Sequence, residues 1–144
     1  AAAAAPGNAF EATTLDAARA ALHGHVGPVL LAAPDVPGLD ARVASAALED
    51  LALGCDVVVG VAHDARPYVI AVPDVDSELA DMVEGSFGGG VLTAFAERGL
   101  TLGMVRHERR LASAADARAL AIDPLAPADL AALVRGGLLG PADP

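Results

Sequence analysis

Three short stretches of this chain are apolar almost from end to end: Pro28-Val29-Leu30-Leu31-Ala32-Ala33, Asp56-Val57-Val58-Val59-Gly60-Val61 and Tyr68-Val69-Ile70-Ala71-Val72. Pro, Gly or Asp stands at or beside an end of each, and none alternates with polar residues. Such runs read as strands covered on both faces, which constrains the rest of the chain to supply two covering layers. Between the first two runs, Val43, Ala47, Leu48 and Leu51 recur with a helical period, which predicts a helix over Ala41–Leu53 stopped by Gly54. The same period at Leu15, Ala18 and Leu22 predicts a helix from Glu11 to Leu22, capped by Thr13 or Thr14 and ended by Gly24 and Gly27.

Further along, a short helix is expected over Glu78–Val83, a glycine-rich loop over Gly85–Gly90 and a helix from Val91 to Arg98 closed by Gly99. A fourth strand follows over Leu100–Arg106, then helices over Ser113–Ile122 and Pro127–Arg135. Strands alternating with helices through short loops imply an α/β fold with a mostly parallel sheet sandwiched by helices, a Rossmann-like three-layer arrangement. A length of 144 residues fits one domain, expected over residues 10–135, with an irregular lead at 1–9 and a flexible tail at 136–144.

Charge narrows the partners. Nineteen acids against nine bases leave a net charge of −10, which argues against nucleic acid, because nonspecific binding there rests on neutralising phosphates. No basic amphipathic stretch points to a membrane surface, and the apolar run from Val26 to Ala33 is too short to span one. The single cysteine, Cys55, rules out an internal disulfide and fits a reducing compartment, so a cytoplasmic location is expected. Cys55 itself reads as a small apolar filler. A phosphorylated ligand on so acidic a chain would need a cation to screen it.

In parallel sheets, ligands sit outside the carboxyl ends of the strands. Asp35, in Ala33-Pro34-Asp35-Val36-Pro37-Gly38-Leu39, stands just past the first strand between two prolines. It could hold Mg²⁺ or Mn²⁺ together with ligand phosphates, or it could cap a turn or the helix that starts near Asp40. His63-Asp64-Ala65-Arg66 links the second and third strands. There Asp64 and His63 could line the same cleft with Arg66 facing a phosphate, or the segment is simply a polar hairpin loop. The run Arg106-His107-Glu108-Arg109-Arg110 is a local basic spot, read either as a phosphate site or as a solvated loop. His23 and His25 lack a third ligand nearby for zinc, and no serine stands in a nucleophile elbow.

The order of these segments resembles the GT-A-like nucleotide-diphospho-sugar transferases, most of all the radical-SAM/selenodomain-associated glycosyltransferase-like family. MobA-like and CofC-like nucleotidyltransferases share that scaffold. The family's Ser-Asp-x-Pro-x-Leu stretch is matched by Ala33 to Leu39, and its Gly-Pro-x-x-Asp-Gly-Gly-Tyr-x-Leu-Ile-Gly hairpin by Gly60 to Ala71. The resemblance implies a glycosyl- or nucleotidyltransferase-like protein acting on a nucleotide-diphosphate donor with Mg²⁺ or Mn²⁺. Its alternative is an inactive binding or regulatory domain on the same scaffold.

By the same resemblance Asp35 is the metal-binding and diphosphate-bridging residue, Asp64 the catalytic hairpin aspartate and Arg66 a ligand-binding residue. The two glycines that follow the hairpin aspartate in the family are Ala65 and Arg66 here. The family's late Asp-x-Asp-Thr-x-x-Asp segment falls on Arg110-Leu111-Ala112-Ser113-Ala114-Ala115-Asp116, or alternatively on Asp123 to Asp129. The second metal ligand then falls on Ala112 or on Leu125. The family's opening strand and nucleotide-gripping loop have no counterpart in Ala1 to Ala9, so the resemblance implies a fold incomplete at its N-terminus. An edge exposed there could be covered by a second copy in a homo-oligomer.

Overall fold

The computed structural model describes residues 11–12, 14–74 and 90–138. Among them five helices and four strands follow in the order α1 (Leu15–Ala21), β1 (Val29–Ala32), α2 (Ala41–Ala52), β2 (Val57–Val61), β3 (Pro67–Val72), α3 (Val91–Glu97), β4 (Leu102–Met104), α4 (Ala114–Ile122) and α5 (Ala128–Leu138). Most expected elements appear within a residue or two of their anticipated bounds, though α1 begins only at Leu15 and β4 shrinks to three residues. The last helix runs past Arg135 to Leu138. The short helix expected at 78–83 and the glycine loop up to Gly89 lie outside the described residues.

The caps follow from sequence. Thr14 accepts a hydrogen bond from Ala17 N at the start of α1, and Asp40 accepts from the amides of Arg42 and Val43 at the start of α2. Ser113 does the same for α4, accepting from Asp116 N. Each side-chain oxygen satisfies an amide that the first helical turn leaves without a partner.

The strands form one sheet in the order β1-β3-β2-β4. β3 runs antiparallel to both of its neighbours, and only β2 and β4 pair in parallel. The expectation of a mostly parallel sheet is therefore corrected: the sheet is mixed. The reason lies in the connection between β2 and β3. Five residues, 62–66, can turn a hairpin but cannot make a parallel crossover, which needs a dozen or more. The strand so returned inserts between β1 and β2 and separates two strands that share a direction.

β2 and β3 are buried along their whole length, so their side chains divide between two cores. Val57, Val59, Val61, Ile70 and Val72 face Val91 and Phe95 of α3, with Leu22 at the end of α1 packed alongside. Val58, Val69, Ala71 and Tyr68 face Val43 and Ala47 of α2. This is why alternation is missing from the sequence: both faces of the central strands are apolar.

Gly60 is required by packing. A Cβ there would come within 2.6–2.7 Å of the Tyr68 ring and Val105. The ring fills that space and directs its hydroxyl to donate to the carbonyl oxygen of Arg106 at 2.8 Å. Burial, with the nearby Glu108 carboxylate adding to it, pushes the Tyr68 phenol up to about 12. A phenol whose folded value is raised contributes stability fully present below pH ~10 that is lost as pH rises through the folded value. Tyr68 is the chain's one tyrosine, and the chain contains neither lysine nor tryptophan. Phenolate absorbance near 295 nm should therefore report a single group, with a midpoint near 12 in the folded protein and about 10 after unfolding. A folded-state midpoint near 10 would refute the burial of this ring.

Candidate active site

Because β1, β2 and β4 point the same way, their carboxyl ends gather at one edge of the sheet. Three loops meet there. The β1–α2 loop brings Asp35, the hairpin brings His63 to Arg66, and the segment after β4 crosses over both as a strap. The strap is stitched to each. Glu108 N donates to Val61 O, His63 N donates to Glu108 O, and Leu111 N donates to Asp35 O at 2.7 Å. Arg106 donates from Nη2 to Gly38 O at 2.7 Å and pairs with Asp40 and Glu108. Desolvation works against the charge of Arg106, but its bonds to Glu108 and Asp40 outweigh it and raise its pKa.

The main contact of the site joins Asp35 to Arg110. Arg110 Nε donates to Asp35 Oδ2 at 2.8 Å and Nη2 donates to Oδ1 at 2.9 Å, a two-point fork in which both partners are largely removed from solvent. The bond to Asp35 raises the Arg110 pKa further, against the opposing effect of burial. Asp35 is thus at the strand end where the sequence places it, but both of its oxygens are engaged by a guanidinium. Sequence reasoning singled out Asp35 and left Arg110 within a basic run. Its role was detectable only as the basic residue aligned with the first acidic position of the family's late segment.

A cavity of about 290 Å³ opens beside this pair, lined by His63, Asp64, Arg66, Arg109, Arg110, Ala112, Ser113 and Asp116. Among the candidates, His63, Asp64 and Arg66 are indeed brought together with the strap. Asp64 accepts from the Arg66 amide at 3.1 Å and from its Nε at 2.8 Å. Desolvation opposes ionisation of Asp64, but the bonds and charge of Arg66 prevail and lower its pKa. A carboxylate held low is a weaker proton acceptor, so this geometry suits it to orienting the hairpin better than to general-base work.

Asp116 is engaged through its Oδ2. It accepts from Ala112 N and from the Ser113 hydroxyl, and the Ser113 bond leads in lowering its pKa. The amino end of α4 is therefore closed by its own side chain. Arg109 differs: its Nε is buried and has no hydrogen-bond partner among the described residues. A larger, open hollow of about 490 Å³ between α4 and α5 is lined by Leu111, Val134 and small residues, with no titratable group.

The described donor set does not fit a divalent metal. Among the described residues no three His, Cys, Asp or Glu side chains converge, and Asp35 is already paired. His23 and His25 are both exposed, and His25 turns to the Pro28 carbonyl. No described helix is long and apolar enough to cross a membrane.

Two substitutions check the geometry. Ala65 holds φ at 63°, a left-handed conformation that costs a non-glycine residue roughly 1 kcal/mol. Ala65→Gly should thus stabilise the protein by about 0.5 kcal/mol net in urea unfolding, once the more flexible unfolded chain is counted. A loss of stability would contradict the turn. Arg110→Ala should cost about 1–2 kcal/mol, because it leaves the half-buried Asp35 carboxylate without its charged donor. An unchanged unfolding midpoint would mean that the fork contributes nothing.

No family model matches the chain, and no curated protein matches its sequence. Its fold is similar to a crystal structure from Desulfovibrio desulfuricans G20, of a protein assigned provisionally as a nucleotide-diphospho-sugar transferase. The likeness has a TM-score of 0.68 at 20% identity over 87% of this chain. The chain spans 58% of that protein. At this identity the finding concerns architecture alone, an α/β fold with a mixed four-stranded sheet.

Proposed function

We propose that this chain binds the diphosphate of a nucleotide-diphospho-sugar at the carboxyl edge of its sheet, on a glycosyltransferase- or nucleotidyltransferase-type scaffold. The observation that carries the reading is the cavity: three arginines, Arg66, Arg109 and Arg110, converge on it in a chain whose net charge is −10. In the low dielectric of a cleft, guanidinium groups hold phosphate oxygens through charge-assisted, often two-point hydrogen bonds. The fold likeness supports the nucleotide-sugar as the ligand class.

The observed chemistry favours holding the ligand over turning it over. Proton abstraction from an acceptor would fall to Asp64, whose pKa is lowered and whose oxygens are bonded to Arg66. His63 is exposed at the cavity rim and could meet an acceptor hydroxyl. Binding without rapid transfer is the function this arrangement supports best.

Calorimetric titration with uridine, guanosine, cytidine and adenosine diphosphates and their sugar conjugates tests the reading. At least one should bind, and Arg109→Ala should weaken it by about tenfold, the loss expected for one charge-assisted contact. Released nucleoside diphosphate, followed with sugar acceptors present, should remain near the uncatalysed rate. A folded protein that binds none of these ligands would refute the proposal, and fast turnover abolished by Asp64→Asn would replace it with an active transferase.

A further inference from the structure

We infer that Arg110 is the resident cation of this cleft, a guanidinium occupying the position beside Asp35 that a divalent ion would need, so that an anionic ligand is held without added metal. The inference rests on the diphosphate reading above and specifies how that site handles charge.

Three observations converge on it. First, the fork from Arg110 uses both oxygens of Asp35, the carboxylate best placed at the strand ends. A metal at Asp35 would have to displace a two-point charged contact. Second, the other described carboxylates of the cleft are engaged: Asp64 through both oxygens by Arg66, and Asp116 through Oδ2 by the first turn of α4, which leaves Asp116 Oδ1 alone among them, too few to complete a coordination shell. Mg²⁺ demands near-octahedral oxygen ligands, and an ion entering here would also face the positive charges of Arg109 and Arg110. Third, the cleft has a donor to spare: Arg110 Nη1 has no hydrogen-bond partner among the described residues, and Arg109 lines the same cavity beside it.

Guanidinium stays protonated at any pH the fold survives, so the cation is permanent, and the Asp35 fork fixes its orientation. Asp35 then acts as a positioning residue for Arg110.

The test uses inorganic pyrophosphate and uridine diphosphate titrated into the whole chain, in excess EDTA and again in millimolar Mn²⁺. Pyrophosphate should bind in EDTA, and Mn²⁺, which complexes pyrophosphate in solution, should not raise the affinity. Arg110→Gln should lose about tenfold or more in EDTA. Asp35→Asn combined with Arg110→Gln keeps the shapes while removing both charges. It should fold, as judged by circular dichroism, and bind as poorly as Arg110→Gln alone. Manganese paramagnetic resonance with no phosphate present should detect no ion bound to the wild-type chain.

Binding that appears only with Mn²⁺, or a wild-type chain that binds Mn²⁺ until Asp35→Asn removes it, would overturn the inference while leaving the diphosphate site standing. Equal pyrophosphate affinity in Arg110→Gln would overturn it as well. Absence of binding under every condition would overturn both readings.

Discussion

The hairpin of β2 and β3 is the constraint on which the rest of the structure depends. Its turn closes through Ala62 N donating to Arg66 O and Ala65 N donating to Ala62 O, with Asp64 bonded to the Arg66 amide inside the loop. Both strands are fully buried, so helices must cover both faces, and α2 and α3 do so. The returning strand also sets the order of the sheet. By pairing with β1 through Val29↔Val72 to Ala32↔Val69, it fixes where the carboxyl end of β1 stands relative to the hairpin loop. The site is thus a consequence of strand order: Asp35 and Asp64 lie on neighbouring loops because β3 is the only strand between β1 and β2.

Around that frame the strap after β4 does the closing. It continues alongside β2 through the bridge of Ala62 with Glu108 and then reaches across to Asp35. Tyr68 ties it from below by donating to the Arg106 carbonyl, and Gly60 leaves room for that ring. Arg106 and Arg110 hold the β1–α2 loop from above, at Gly38 and Asp35. One polar handle on a buried ring and two guanidinium forks thus convert a loop of alternating charge into a fixed wall. Arg109, between two tethered arginines, is held in the cavity with its Nε unbonded.

Much of the molecule was legible in the chain. The cap at Thr14, the stops at Gly54 and Gly99, and the three apolar runs are local signals, decided by hydrogen bonds and packing within a few residues, whereas the cap of α2 is Asp40 and not Asp35. The placement of Asp35 past a buried strand was legible for the same reason. The direction of β3 was misjudged because apolar runs buried on two faces look alike in parallel and antiparallel sheets. Only the five-residue connection told them apart. In sequence the basic run reads as either a phosphate site or a solvated loop. In the fold it is neither alone: Arg106 and Arg110 are structural ties, and Arg109 is the member left with a buried donor.

By itself, then, the sequence determined the elements, their caps and the apolar surfaces that must be covered, because these depend on spacing and on the polarity of near neighbours. It also determined that any anion site would have to rely on arginine, the chain's only basic residue apart from four histidines. Tertiary structure alone decided which arginine meets which aspartate. Asp35 and Arg110 are separated by 75 residues, and no local pattern encodes a contact made by a strap crossing two strand ends. The same contact decided the character of the cleft, since a carboxylate that reads as a metal ligand in sequence becomes, once a guanidinium takes both its oxygens, the support for a cation the protein already carries.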